Sequence, residues 1–139
     1  MSKGSRFDRI LRVRTLQLGQ VRAEEGRARA KVEHEQALRE RIAQLSANVA
    51  PSREQSTATG LIAAAHYRER LHQSAHAAAQ RVAVAEQSLT AATEATREAK
   101  RDQSAVEKLI ARGEAEAAIK ALRALEALAP TGKNRHDLC

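Results

Sequence analysis

From Leu71 to Ala117 the chain keeps one spacing: Leu71, Ala75, Ala78, Val82, Ala85, Leu89, Ala92, Thr96, Ala99, Gln103, Val106, Ile110, Gly113, Ala117. The steps alternate four and three without a break, which is the pattern of a helix that presents one seam to a partner helix. Alanine is too common here to prove the point, so the bulky residues decide it. Between 68 and 117 they are Leu71, Val82, Val84, Leu89, Val106, Leu109 and Ile110, and five of the seven lie on the seam. A chain with this feature is committed to a long helix packed along its length. The composition agrees, with one Phe, one Tyr, no Trp and 29% charged residues. That is too little aromatic material for a thick core and is the profile of a coiled coil.

Pro occurs only at 51 and 130 and marks boundaries. The reading is all-α: a long antiparallel two-helix coiled-coil hairpin with an overhanging second helix, forming a single domain over 1–139. Helix 1 is expected over about 5–49, a turn over 50–60, helix 2 over about 61–129 and a disordered tail over 130–139. Ser5 is the expected cap of helix 1, with Asp8 completing a capping-box-like pattern. Ser52 with Gln55, or Ser56, Thr57 and Thr59, offer caps for helix 2. The helix 1 seam reads Phe7, Leu11, Leu18, Val21, Ala28, Val32, then Leu38, Ile42, Leu45, Val49. Its register slips between Val32 and Leu38, as at a stutter or stammer. Arg14 and Glu25 fall on seam positions, so this helix should pack imperfectly. At about 1.5 Å per residue the helices span about 65 Å and 100 Å, leaving about 25 residues of helix 2 without an intrachain partner near its C-terminal end. That overhang holds Ile119, Leu122, Leu125 and Leu128.

The net charge is +7. Residues 1–31 hold nine Lys/Arg against three acids, so the excess sits at the N-terminal end, where Arg6, Arg9, Arg12 and Arg14 cluster. Such a patch attracts nucleic acid, anionic lipid or an acidic protein surface. Nucleic-acid binding is not expected, because neither a recognition motif nor stacking aromatics accompany the charge. No apolar run is long enough to span a bilayer, Arg9, Arg12 and Arg14 interrupt any signal-like segment, and the single Cys139 fits a reducing compartment. The expected location is cytoplasmic.

His72 and His76 lie four apart, with Glu69 three before His72. A zinc site needs further ligands, and helix 1 offers only His34. With Leu71 at a d position, His72 falls at e and His76 at b, flanking the seam and facing solvent. No metal and no cofactor is expected there. Tyr67, at g, is either packing cover or a docking anchor. Catalysis has no support, since no paired carboxylates, nucleophile–base set or phosphate-binding glycine loop is present, and the expectation is a non-enzyme.

The opening Phe7-x-Arg9-Ile10-Leu11-x-Val13-Arg14, a turn near residue 55 and a tyrosine followed by Leu71 early in helix 2 resemble the flagellar FliJ family, from Phe7 to about Leu128. The resemblance implies a non-enzymatic stalk and adaptor of the flagellar type III export apparatus. It would insert its terminal end into the ring of the flagellar export ATPase and contact the cytoplasmic domain of the export gate membrane protein. It would also bind export chaperones and meet the membrane only indirectly, as a peripheral component at its inner face. Transferred to this chain, the ATPase-ring candidates are Arg6, Phe7, Arg9, Arg12, Arg14, Leu122 and Leu125. The family's gate-binding spacing of four, three and four falls on Leu71, Ala75, Ala78 and Val82, although the bulky and polar residues of better-known members are not reproduced. With the flanking ridge of Tyr67, Arg70, His72 and His76 these complete the gate candidates. The four spaced positions are also seam positions, so core packing is the alternative at each. Two other classes fit the same sequence: a structural coiled coil that self-associates through its overhang, and a basic helical hairpin that binds nucleic acid.

Overall fold

The computed structural model describes residues 3–49 and 57–128, with side chains from residue 6 onward. Two helices make up the fold, α1 over Lys3–Asn48 and α2 over Ala58–Ala127. Among the described residues there is no strand. The chain is the all-α helical hairpin that the seam requires. By contacts it divides into two units, Leu16–Lys100 and Met1–Thr15 with Arg101–Cys139.

Both helix starts differ from expectation. α1 begins at Lys3, so Ser5 lies inside the helix and is not its cap. α2 begins at Ala58, three residues earlier than expected, because Thr57 caps it. The Thr57 hydroxyl accepts the Gly60 N–H at 3.3 Å, and the Thr57 carbonyl accepts the Leu61 N–H at 3.1 Å. The hydroxyl satisfies one of the orphan donors of the first turn, and the carbonyl accepts the first intrahelical bond. Glycine suits position 60, since a Cβ there would meet the capping oxygen at 3.0 Å. The alternative caps Ser52, Gln55 and Ser56, the stop at Pro51, and the tail 130–139 with Cys139 lie outside the described residues.

In the Leu16–Lys100 unit the helices run antiparallel. Arg81 Nε donates to Glu35 Oε2 at 3.1 Å, and the Thr96 hydroxyl lies 3.4 Å from the Val21 carbonyl. The register these contacts set puts Leu18 level with Ala99, Ala28 with Leu89, Val32 with Ala85, and Ile42 with Ala75. Large side chains thus meet small ones, which lets the two backbones approach. The buried core follows that register: Leu18 is 4% exposed, Val32 8%, Ala78 0%, Val82 3% and Ala85 1%. Every α2 seam position from Leu71 to Ile110 is buried or half-buried. Gly113 and Ala117 are exposed, so the seam stops at Ile110 rather than at Ala117.

The α1 register slip also takes a definite form. Its less exposed positions step by four and three through Val32 and Glu35, then by three to Leu38 and four to Ile42. One step of four has become three, which is a stammer. Glu35 sits at that point with its side chain 13% exposed, and Arg81 supplies its ion pair. Glu25, the other acid on the seam, pairs with Arg29 one turn on at 3.1 Å. Leu45 was expected on the seam but is 44% exposed.

In the second unit Phe7, Leu11 and Arg14 of α1 are half-buried, as are Gln103, Val106 and Ile110 of α2. Arg14 Nη1 lies 3.0 Å from Asp102 Oδ2. Gln103 Nε2 donates to the Thr15 hydroxyl at 3.2 Å, which donates in turn to the Leu11 carbonyl at 2.9 Å. Arg14, a seam flaw by sequence, is here an ion-pair partner across the helices. From Ala111 to Leu128 every residue is exposed. That stretch is shorter than the expected overhang. Within the Leu16–Lys100 unit the register sets Val49 level with Arg68, so the first turns of α2 also extend past α1. The excess length therefore divides between the two ends of α2.

If Ala85 fills the space facing Val32, Ala85→Leu should overpack it and lower stability by about 1–3 kcal/mol. Ala117→Leu, the same change on an exposed position of the same helix, should stay within about 0.5 kcal/mol. Urea unfolding followed by circular dichroism measures both, and equal effects would contradict the seam.

Candidate docking surfaces

The gate candidates divide into core and surface. Ala78 and Val82 are buried against α1 and present nothing to a partner while the hairpin is closed. Both pack as core residues, the alternative that the spacing left open, since the four-three spacing of a docking stripe is also that of the packing seam. Leu71 and Ala75 are half-buried, whereas Tyr67, Arg70, His72 and His76 are exposed.

Leu71, His72 and Ala75 share a solvent-open hollow of about 650 Å³ with Ala43, Ser46, Ala65, Arg68 and Glu69. Small side chains line it from both helices, Ala43 and Ser46 of α1 and Ala65 and Ala75 of α2. Two thin flanks then fail to fill the space between the helices. Glu69 is held in place, its carboxylate accepting Gln73 Nε2 at 3.1 Å. Leu61 at 48% exposed, Ile62 at 71% and Tyr67 at 48% lie on the first turns of the same helix. Alanine, arginine and glutamate around a hollow carry no motif, and their grouping follows only once the cross-helix register is known. Leu61 and Ile62 carry no signal for a simpler reason. They adjoin the segment expected to be a turn.

The histidines do not converge. His34 is level with Ala83, a full heptad from His76, and among the described residues no group of three or more His, Cys, Asp or Glu stands close enough to share a metal ion.

The ATPase-ring candidates lie in the other unit. Arg6, Arg9 and Arg12 are exposed on the first turns of α1. Phe7 is half-buried and level with Ile110, and Arg14 is engaged with Asp102, so these two also hold the helices together. On α2, Ile119 is 50% exposed, Leu122 60%, Leu125 63% and Leu128 69%. Ile119, Leu122 and Leu125 do not prolong the hairpin seam. Continued past Ile110, the seam would run through Gly113, Ala117, Lys120 and Ala124, which are small or charged. At about 100° per residue Leu122 points to nearly the opposite side of the helix. Ile119, Leu122 and Leu125 thus form a separate apolar face that a longer α1 would not cover, whereas Leu128, about five turns on from Ile110, lies on the seam side. Among the described residues no helix is long and apolar enough to cross a membrane.

No family model, no curated protein and no solved structure matches this chain.

The division into core and surface has a direct consequence. Val82→Ala should destabilise the fold by about 1–2 kcal/mol, from lost burial and an unfilled space. Tyr67→Ala and His72→Ala should change stability by less than about 0.5 kcal/mol. Thermal unfolding of the three variants checks this, and a Tyr67→Ala loss as large as that of Val82→Ala would place Tyr67 in the core.

Proposed function

We propose that this protein is a non-enzymatic stalk and adaptor of a flagellar type III export apparatus, joining the export ATPase ring to the export gate. The observation that carries the reading is the exposed leucine face of α2 in the same unit as the exposed arginines of α1. Exposed large apolar groups on an otherwise mixed-charge helix favour burial against a partner. A neighbouring cluster of Arg6, Arg9 and Arg12 favours an acidic one and speeds encounter. The resemblance of the segment from Phe7 to Arg14 to the FliJ family supplies the identity of that partner.

On this reading Leu122 and Leu125 bury in the ring, with Arg6, Arg9 and Arg12 meeting acidic residues at its rim. Phe7 and Arg14 keep α1 and α2 together there. The export-gate surface is the ridge of Tyr67, Arg70, His72 and His76, with the hollow bounded by Leu71 and Ala75. Ala78 and Val82 lie beneath it as support. Export chaperones are further partners, and the protein acts at the inner face of the membrane through the gate.

The chain should co-purify with the flagellar export ATPase. Leu122→Glu with Leu125→Glu should abolish that association and motility while leaving helical content and unfolding unchanged, since both side chains are exposed. A double variant that still binds the ATPase and supports normal swimming would overturn ring docking. Tyr67→Ala should weaken binding to the gate's cytoplasmic domain and leave ATPase binding intact.

A further inference from the structure

The outer face of α2 beyond Ile110 has an internal order that ring docking does not use. Ala111, Ala115, Ala118, Leu122 and Leu125 follow one another at steps of four and three. That is a second seam, turned away from the one that packs on α1. It is graded, with small side chains in its N-terminal half and large ones in its C-terminal half. Alongside it runs an edge with the same steps: Arg112, Glu116, Ile119, Arg123 and Glu126. The charges on this edge alternate, basic, acidic, basic, acidic, about a central isoleucine.

We propose that this face pairs antiparallel with the same face of a second copy of the chain, folded about Ala118 and Ile119. Size complementarity is the first argument. In that register Ala111 lies level with the partner copy's leucine at position 125, Ala115 with its leucine at 122, and Ala118 with its equivalent. Small meets large at each end of the contact, as it does between α1 and α2. Charge is the second argument. In an antiparallel two-fold pair the same edge of each helix meets, so Arg112 comes level with glutamate 126 of the second copy, and Glu116 with its arginine 123. Each pairing occurs twice by symmetry, and both fall within about two residues of the register that the apolar seam sets, within reach of these long side chains. The third argument is availability. Every residue from Ala111 to Leu128 is exposed, and among the described residues no ion pair is made within that stretch. Elsewhere on these helices exposed charges do pair locally, as Glu94 with Arg97.

The contact from Ala111 to Leu125 covers about 22 Å of helix at 1.5 Å per residue. A patch of that length gives a weak, concentration-dependent dimer rather than an obligate one. It also buries Leu122 and Leu125, so self-pairing and ring docking exclude each other. The free chain then stores its leucine face against its own copy until a ring is offered. The proposal does not rest on the export reading, because the pure chain alone tests it.

Sedimentation velocity of the full chain, with reductant present so that Cys139 cannot link two copies, should show concentration-dependent growth from 15.2 kDa toward twice that mass, weakening as salt rises. Glu116→Lys with Glu126→Lys makes the edge wholly basic, and Arg112→Glu with Arg123→Glu makes it wholly acidic. Each double variant alone should dimerise at least tenfold more weakly than the parent. Mixed in equal amounts, the two should form a mixed dimer, since every pair is then opposite in sign. A parent chain that stays monomeric at low salt would overturn the proposal, even if a purified export ATPase captures it, because the face would then belong to the ring alone. Double variants that dimerise like the parent, or a mixture no stronger than its components, would overturn it as well.

Discussion

Close approach of two helices along an alanine-lined seam is the constraint on which the rest of this structure depends. A hairpin of two helices has only one shared surface, so its stability rests on how completely that surface is packed. Here α2 contributes Ala75, Ala78, Ala85, Ala92 and Ala99, and α1 sets Leu18, Val32, Leu38 and Ile42 against them. The small side chains bring the helices near enough for polar groups at the edge to bond across: Glu35 with Arg81, Thr15 with Gln103, Arg14 with Asp102. Those edge contacts are solvent-exposed and individually weak, of the order of 1 kcal/mol or less. Their larger effect is to fix register, since a seam rich in alanine discriminates poorly between one heptad and the next.

Because the core is one seam thick, nearly all other side chains are surface, and recognition by a partner must use flanks and helix ends. Two regions stand out physically. One is the pair of first turns of α2, with Leu61, Ile62 and Tyr67 exposed near a hollow that small residues leave open. The other is the stretch after Ile110, where α2 turns an apolar face to solvent. The seam explains both. α2 is longer than α1, and the cross-helix bonds place the excess at its two ends.

The seam of α2 could be read from the chain almost residue by residue, because an unbroken four-three spacing leaves few alternatives. Its end could not. Gly113 and Ala117 keep the spacing, and whether a position with the right phase is buried depends on where the partner helix begins. The same blindness affected the docking surfaces. Ala78 and Val82 satisfy the spacing of a partner-binding stripe and of a core equally well, and only their contact with α1 separates the two. The stammer at Glu35 was legible as a slip but not as a placement, since an acid on a seam gives no sign of the arginine that meets it from the other helix. The hollow near Leu71 and the second seam around Leu122 depend on phase relative to α1. The sequence held Leu122 and Leu125, and their phase relative to the seam turns them away from α1.

The central claim is that the leucine-bearing unit, not the first turns of α2, is what the export ATPase holds. Amide hydrogen exchange of the dilute, monomeric chain, with and without purified flagellar export ATPase, tests it most directly. The account predicts new protection in the segments from Arg6 to Arg14 and from Ile119 to Leu128, with exchange between Ala58 and Ala75 unchanged. Protection confined to the segment from Ala58 to Ala75, or none anywhere at saturating ATPase, would contradict it.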